Sequence, residues 1–217
     1  MKYRTVLFDF DGTLMDTSRG IMICAKKTLE EMGYAIPDDK TMRKFIGPPL
    51  KLSFVSVCGM SDEEATEAVM RYRENYALGG VLDAEIYPGI EDLLQSLNAA
   101  GVNCAVASVK VEKRVRQTLL HFGLNQYFSA VCGASGDINI KGKEEIVKQA
   151  VSRTNSLPKD CLLVGDSDYD ARGAQAAGID FCAVLWGFGF SEIGDAAPFD
   201  CRYIAEDVPA LKRFLLK

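Results

Sequence analysis

The chain has 217 residues, 48% of them hydrophobic and 25% charged, with a mean hydropathy near zero; this composition excludes a disordered, collagenous or coiled-coil chain. Lys and Arg number 25 against 30 Asp and Glu, a formal charge of −5, so no general basic field exists to hold a nucleic acid polymer or an anionic membrane, and an anionic substrate depends on local charge. The seven cysteines are odd in number, include no CxxC pair and lie mostly in apolar runs, which points to reduced thiols in a cytoplasmic protein and away from a disulfide framework or a zinc site.

The first predicted element is a strand over residues 5–10, an apolar run that Asp9 interrupts too early for a signal peptide or a membrane span. It leads into Asp9-Phe-Asp-Gly-Thr-Leu-Met-Asp16. Residues 18–32 then repeat apolar side chains at Ile21, Cys24, Ala25, Leu29 and Met32, a helical spacing. Phe45-Ile-Gly-Pro-Pro-Leu50 predicts a rigid turn flanked by Lys44 and Lys51, and Ser61-Asp-Glu-Glu64 reads as a capping box opening a helix through Ala65, Val69, Tyr72 and Tyr76. No convincing strand interrupts this stretch, which is too long for an ordinary crossover. It predicts a separate helical domain over 16–83, inserted into a core made of 1–15 and 84–217, with linkers at 16–18 and 79–89.

Beyond it, apolar runs at 102–108, 130–133, 161–165 and 181–185 read as strands buried on both faces. Helical patterns over 91–100, 111–122 and 171–177 separate the later runs and end before Gly101, Gly123 and Gly178. Alternation of strand and helix predicts an α/β, Rossmann-like, doubly wound parallel sheet.

Asp9 and Asp11 lie where such a sheet places its ligands, beyond the carboxyl end of a strand. Two carboxylates two residues apart on an extended segment share a side, with Gly12 allowing a tight turn after them, and like charges that close call for a counterion. Mg²⁺ suits such oxygen donors. A calcium loop starting at Asp9 fails, because its sixth and twelfth places hold Leu14 and Gly20 instead of Gly and Glu. A second acidic group, Gly165-Asp-Ser-Asp-Tyr-Asp170, follows the run at 161–165.

Taken together these residues resemble a haloacid dehalogenase superfamily phosphatase with an α-helical cap, of the branch containing phosphoglycolate phosphatases and 5′-nucleotidase-like enzymes. The resemblance implies a Mg²⁺-dependent phosphatase acting on a small phosphorylated metabolite, with Asp9 attacking phosphorus to form an aspartyl-phosphate and Asp11 serving as acid and then base. It implies Ser108, in Ala107-Ser-Val-Lys110, as a donor to the phosphoryl group, and Gly12 and Val109 as further phosphate-binding positions. It implies a neutralising lysine in Ile140-Lys-Gly-Lys-Glu-Glu145: Lys143, which immediately precedes a helical pattern, with Lys141 as the alternative. It implies Mg²⁺ held by Asp9, the main-chain carbonyl of Asp11, and Asp166, with Asp170 reaching the ion directly or through water. Asp16 and Thr17 extend the first motif and also read as the start of a helix, while Lys44 and Lys51 are candidates to meet a second anionic group. Trp186-Gly-Phe-Gly189, after what reads as the last parallel strand, also resembles this branch. Mutases of the same family carry a His where this chain has Ile21, which favours hydrolysis over a phosphomutase; the alternative of another class is a non-catalytic regulatory or binding module.

Overall fold

Thr5, Val6, Leu7 and Phe8 are all buried in the computed structural model, which describes residues 2–135 and 142–217. A strand closed off from water on both faces has to lie at the centre of a covered sheet. In chain order the elements are β1 (Thr5–Phe8), β2 (Met15–Asp16), α1 (Ser18–Glu31), α2 (Asp39–Met42), α3 (Leu50–Cys58), α4 (Asp62–Leu78), β3 (Glu85–Ile86), α5 (Ile90–Ala99), β4 (Asn103–Val111) and α6 (Glu112–His121). They continue with β5 (Ala130–Ala134), α7 (Lys143–Arg153), β6 (Cys161–Gly165), α8 (Asp168–Ala177), β7 (Asp180–Val184), α9 (Ile193–Ala196), β8 (Cys201–Ala205) and α10 (Val208–Leu215). The chain divides into two compact units, Met1–Asp16 with Ile86–Lys217, and Thr17–Glu85.

The first unit is built on a parallel sheet of order β5-β4-β1-β6-β7-β8. The connections run outward from β1 in one direction and then, after a long return, outward in the other, so the sheet is doubly wound and its switch point lies between β1 and β6. Leu7, Ala105, Cys132, Leu163 and Ala183 join Ile146 and Val147 of α7 and Ala171 and Ala174 of α8 in one apolar cluster. Phe8, one residue on from Leu7, meets Phe128 with ring centroids 6.4 Å apart.

The second unit is helical. The capping box at the start of α4 is present, with the Glu64 amide donating to Ser61 Oγ at 3.2 Å and the Ser61 amide donating to Glu64 Oε2 at 2.8 Å. Within this unit Asn75 of α4 donates to Glu31 Oε2 of α1 at 3.0 Å, and Phe45 meets Phe54 edge to face at 5.0 Å. Gly20 and Gly80 let the backbone of α1 approach the turn at 80–82, since a Cβ at Gly20 would overlap the Gly80 carbonyl. Thr17 occupies the N-cap of α1 but makes no cap hydrogen bond through its side chain.

Several predicted boundaries need correction. A sixth parallel strand, β8, follows β7, so Trp186-Gly-Phe-Gly189 does not come after the last strand. β8 is an edge strand with Arg202 exposed, and half-exposed edges lack the continuous apolar run of a central strand. β4 runs past Ser108 to Val111, with its pairing to β5 shifting register between Ala107 and Val111. α8 starts at Asp168, three residues before its apolar pattern, and the two short strands β2 and β3 pair in a region that reads as strand-free. No helix among the described residues is long and apolar enough to cross a membrane.

Gly133 of β5 sits under the irregular stretch of β4. A Cβ there would lie 2.5 Å from the Lys110 carbonyl oxygen and 2.7 Å from Glu112 backbone atoms, none of which can swing aside as a flexible side chain does. Gly133→Ala is therefore expected to cost about 1–3 kcal/mol in urea unfolding. Gly142→Ala, where an added Cβ meets nothing within 4 Å, serves as the control and is expected to leave the midpoint within about 0.5 kcal/mol.

Candidate active site

The backbone leaves β1 still alongside β6, with the Asp9 amide donating to the Val164 carbonyl at 2.9 Å. Asp9 and Asp166, each one residue beyond its strand, are thereby set side by side at the switch point. After Asp9 the chain turns at once: the amides of Leu14 and Met15 both donate to the Phe10 carbonyl at 3.1 Å, and Gly12 takes φ +85°. Gly12 is required twice over, since a side chain there would be strained and would run into the Asp166 carboxylate.

Lys143, the first residue of α7, ties the acids together. Its ammonium lies 2.6 Å from Asp9 Oδ1 and 2.5 Å from Asp170 Oδ1, and its side chain is only 4% exposed. Two glycines make this approach feasible: a Cβ on Gly173 would lie 2.5 Å from Lys143 Cγ, and one on Gly165 would lie 2.5 Å from Asp170 Cβ. Asp170 is the third residue of α8, and its Oδ2 accepts from the Ser167 amide at 3.1 Å and the Ser167 hydroxyl at 2.6 Å. Asp166 Oδ2 accepts from the Phe188 amide at 2.7 Å and the Gly189 amide at 3.2 Å, while its Oδ1 accepts from Thr13 Oγ1 at 3.2 Å.

Asp9, Asp166 and Asp170 are all buried, and each offers a carboxylate oxygen within 4.8 Å of the others. Three carboxylates face one ammonium, so the fully ionised cluster carries two negative charges in excess. Burial pushes the Asp9 carboxyl above its ordinary range; Lys143 pulls it back, and the charges of Asp170 and Asp166 push it up again. Burial also pushes up Asp166, with the Asp170 charge adding to it against the amides of Phe188 and Gly189. Burial works against the Lys143 ammonium, yet Asp170 and Asp9 outweigh it and leave its pKa raised. An all-oxygen, over-acidic cluster of this kind fits a hard divalent cation such as Mg²⁺.

Asp11 stands apart from these three. Its Oδ1 accepts from Lys110 Nζ at 2.7 Å. Ser108 is buried and its hydroxyl accepts from the Lys110 amide at 3.4 Å, while Val109 between them is exposed. Lys141 lies outside the described residues. The structure thus brings Asp9, Asp166, Asp170, Lys143 and Gly12 into contact, and sets Asp11 and Ser108 each against Lys110.

Sequence reasoning missed Lys110, Thr13 and the Phe188 and Gly189 amides. Lys110 follows Ser108 by two residues, which on an extended strand is the same side, and that spacing was the available signal. Thr13 reaches Asp166 across 153 residues of chain, for which no local pattern exists. Trp186 packs over the same loop, its indole N–H donating to the Thr13 carbonyl at 3.1 Å.

A family model described as haloacid dehalogenase-like hydrolase matches residues 6–184. The chain is 36% identical over 190 residues to the tyrosine-protein kinase PtkA of Mycobacterium tuberculosis, a match covering 88% of this chain. It spans 65% of the length of that relative. It is 33% identical over 215 residues to a 5′-nucleotidase of Pseudomonas aeruginosa, covering 99% of this chain and 96% of that one. A crystal structure titled a predicted phosphatase from Clostridium acetobutylicum superposes with a TM-score of 0.91 at 34% identity, covering 100% of this chain and 99% of that one.

The buried charge gives the cluster a pH signature in chelating buffer. A carboxyl raised by folding contributes stability that is complete below the unfolded value, about 3.9, and is lost as pH rises through the folded one. For Asp166 that folded value is about 6. Asp166→Asn keeps an acceptor for the two amides without the charge, so it is expected to gain on the unsubstituted protein by on the order of 1–3 kcal/mol between about pH 5 and about pH 7.5. Urea midpoints at the two pH values measure this, and a gap that stays constant would count against the buried-charge account.

Proposed function

We propose, for a chain that belongs to the haloacid dehalogenase-like hydrolase family, that it is a Mg²⁺-dependent phosphatase of small phosphorylated metabolites, working through an aspartyl-phosphate on Asp9. The observation that carries this reading is the buried Asp9 carboxylate paired at 2.6 Å with Lys143, beside two further acids. A carboxylate touching an ammonium is a candidate nucleophile, and covalent capture divides a difficult hydrolysis into two easier steps.

In the first step an Asp9 oxygen forms a bond to phosphorus while the bond to the ester oxygen breaks, and Asp11 gives its proton to the departing oxygen. In the second, Asp11 takes a proton from water, the water oxygen bonds to phosphorus, and the phosphorus–Asp9 bond breaks to free inorganic phosphate and restore the carboxylate. Lys143 balances charge on Asp9 and on the phosphoryl group throughout. Ser108 donates to a phosphoryl oxygen, and the backbone at Gly12 and Val109 lines the same place. Asp9, Asp166 and the Asp11 carbonyl, with Asp170 directly or through water, would hold Mg²⁺, which would supply the positive charge that phosphoryl transfer needs. Asp170, whose two oxygens accept from Lys143 and Ser167, also fixes the lysine in place. The helical unit, taken as residues 16–83, is assigned the role of a cap that excludes bulk water before attack. Hydrolysis is preferred to a mutase reaction because position 21 is an apolar Ile, without the proton-carrying ring that mutases place there.

Asp9→Asn is expected to reduce turnover of an aryl phosphate by about 10³-fold or more while leaving the circular dichroism spectrum intact. Chelation is expected to abolish turnover in the unsubstituted protein, and added Mg²⁺ to restore it. Undiminished Mg²⁺-dependent hydrolysis by purified Asp9→Asn would sink the proposal, and so would full activity in excess chelator. A comparison of kcat/KM across phosphorylated metabolites ranks phosphoglycolate-type against nucleoside 5′-monophosphate-type substrates.

A further inference from the structure

Trp186-Gly-Phe-Gly189 takes no part in the chemistry assigned to Asp9 and Asp11, yet the loop is built closely around one side chain. Its glycines permit the approach: a Cβ on Gly187 would overlap the Asp166 carboxylate and the Gly12 carbonyl, and one on Gly189 would lie 2.5 Å from the Asp166 main-chain oxygen. The Phe188 and Gly189 amides both donate to Asp166 Oδ2, at 2.7 and 3.2 Å, and the Phe190 amide donates to the Asp166 main-chain carbonyl at 2.7 Å. From the other side Thr13, itself fully buried, donates to Asp166 Oδ1 at 3.2 Å. The Trp186 indole closes the ring by donating to the Thr13 carbonyl at 3.1 Å.

This hold limits what Asp166 can offer a cation. A carboxylate has about four lone-pair sites, two on each oxygen. The two amides fill those of Oδ2 and Thr13 takes one on Oδ1, so among the described residues a single site, on Oδ1, is left open. Asp170 is tied in the same way, its Oδ1 by Lys143 and its Oδ2 by the amide and hydroxyl of Ser167. Neither acid can turn both oxygens onto one ion without giving up hydrogen bonds already made, and a buried group left without its partner costs about 1–3 kcal/mol. Ca²⁺ collects about six to eight oxygens and often takes both from one carboxylate, whereas Mg²⁺ accepts a smaller octahedral set and keeps several waters.

We propose that the hold on Asp166, by the Thr13 hydroxyl and by the loop that Trp186 anchors, makes the cation site selective for Mg²⁺ against Ca²⁺. Thr13 and Trp186 are then positioning residues that act through Asp166. The proposal rests on the phosphatase reading above, which takes the buried acids as a cation site, and goes beyond it by naming the ion the site rejects and the side chains responsible.

Thermal unfolding titrated with MgCl₂ or CaCl₂ at constant ionic strength gives each dissociation constant, because an ion that binds only the folded state raises the melting temperature by mass action. The unsubstituted protein is expected to bind Mg²⁺ about 10- to 100-fold more tightly than Ca²⁺, the range over which groups that orient a metal ligand alter affinity. Thr13→Val keeps the side-chain shape without the hydroxyl and is expected to reduce that ratio at least about tenfold, while Thr13→Ser restores most of it. Should circular dichroism show Thr13→Val unfolded, Trp186→Phe carries the same test, since it keeps an aromatic ring but loses the bond to the Thr13 carbonyl; a reduction of at least about threefold is expected. An unchanged ratio in the folded variant overturns the proposal, because a residue that merely supports the fold lowers the cation-free melting temperature and leaves the preference between ions alone. Equal affinity for the two ions in an unsubstituted protein that hydrolyses p-nitrophenyl phosphate with Mg²⁺ overturns it while leaving the phosphatase reading standing. Absence of both Mg²⁺-dependent turnover and stabilisation by Mg²⁺ overturns both.

Discussion

The Lys143 ammonium between Asp9 and Asp170 is the contact on which the rest of the core site depends. Taking a carboxylate or an ammonium out of water costs several kcal/mol, and the attraction between them repays this only when the groups touch and their remaining lone pairs are bonded. The groups touch, and the further oxygens of Asp170 and Asp166 are bonded. Lys143 reaches Asp9 at 2.6 Å and Asp170 at 2.5 Å, Ser167 occupies the other Asp170 oxygen, and the amides of Phe188 and Gly189 cap Asp166. Without the lysine, three carboxylates with oxygens within 4.8 Å of one another would repel in a medium that screens them poorly.

That contact constrains four elements at once. α7 has to begin where its first side chain can cross to the end of β1, and α8 has to begin where its third residue meets the same ammonium. The glycines of β6 and α8 are what allow the approach: Gly165 leaves space for Asp170, and Gly173 leaves space for the Lys143 stem. β1 beside β6 supplies the remaining requirement, since the switch point of a doubly wound sheet sets the ends of two non-consecutive strands next to each other with no intervening strand. The excess negative charge that results is a cost to the fold, and an all-oxygen cluster that carries it fits a hard cation.

The irregular end of β4 makes a second, more open arrangement beside the first. A strand that kept its register past Ala107 would continue the ladder; the shift instead sets Lys110 against Asp11 and leaves Ser108 buried under it. The two lysines thus divide the site, Lys143 on Asp9 and Lys110 on Asp11. A protein with net charge −5 can gather an anionic ligand only through such local cations.

Much of this was legible along the chain because it is local. The apolar run at 161–165 coincides with β6, Gly178 closes α8 in a left-handed conformation, and Ser61 with Glu64 caps α4, each following from chemistry within a few residues. The spacing of Asp9, Asp11, Asp166 and Asp170 at strand ends was equally visible, because acids in groups are conspicuous where apolar runs stop. The edge strand β8 was not, since partial exposure erases the apolar run that marks a central strand, and the extension of β4 to Val111 was hidden by a helix pattern that starts there. By itself, then, the sequence determined the fold class, the acidic motifs and the element that each follows. Which atoms touch was decided only by the tertiary structure: Lys143 with Asp9 across 134 residues, Thr13 with Asp166 across 153, and Lys110 with Asp11 across 99. The reason is that contacts over such separations depend on how strands are ordered in the sheet and where one of them slips register, and neither leaves a periodic trace in the chain.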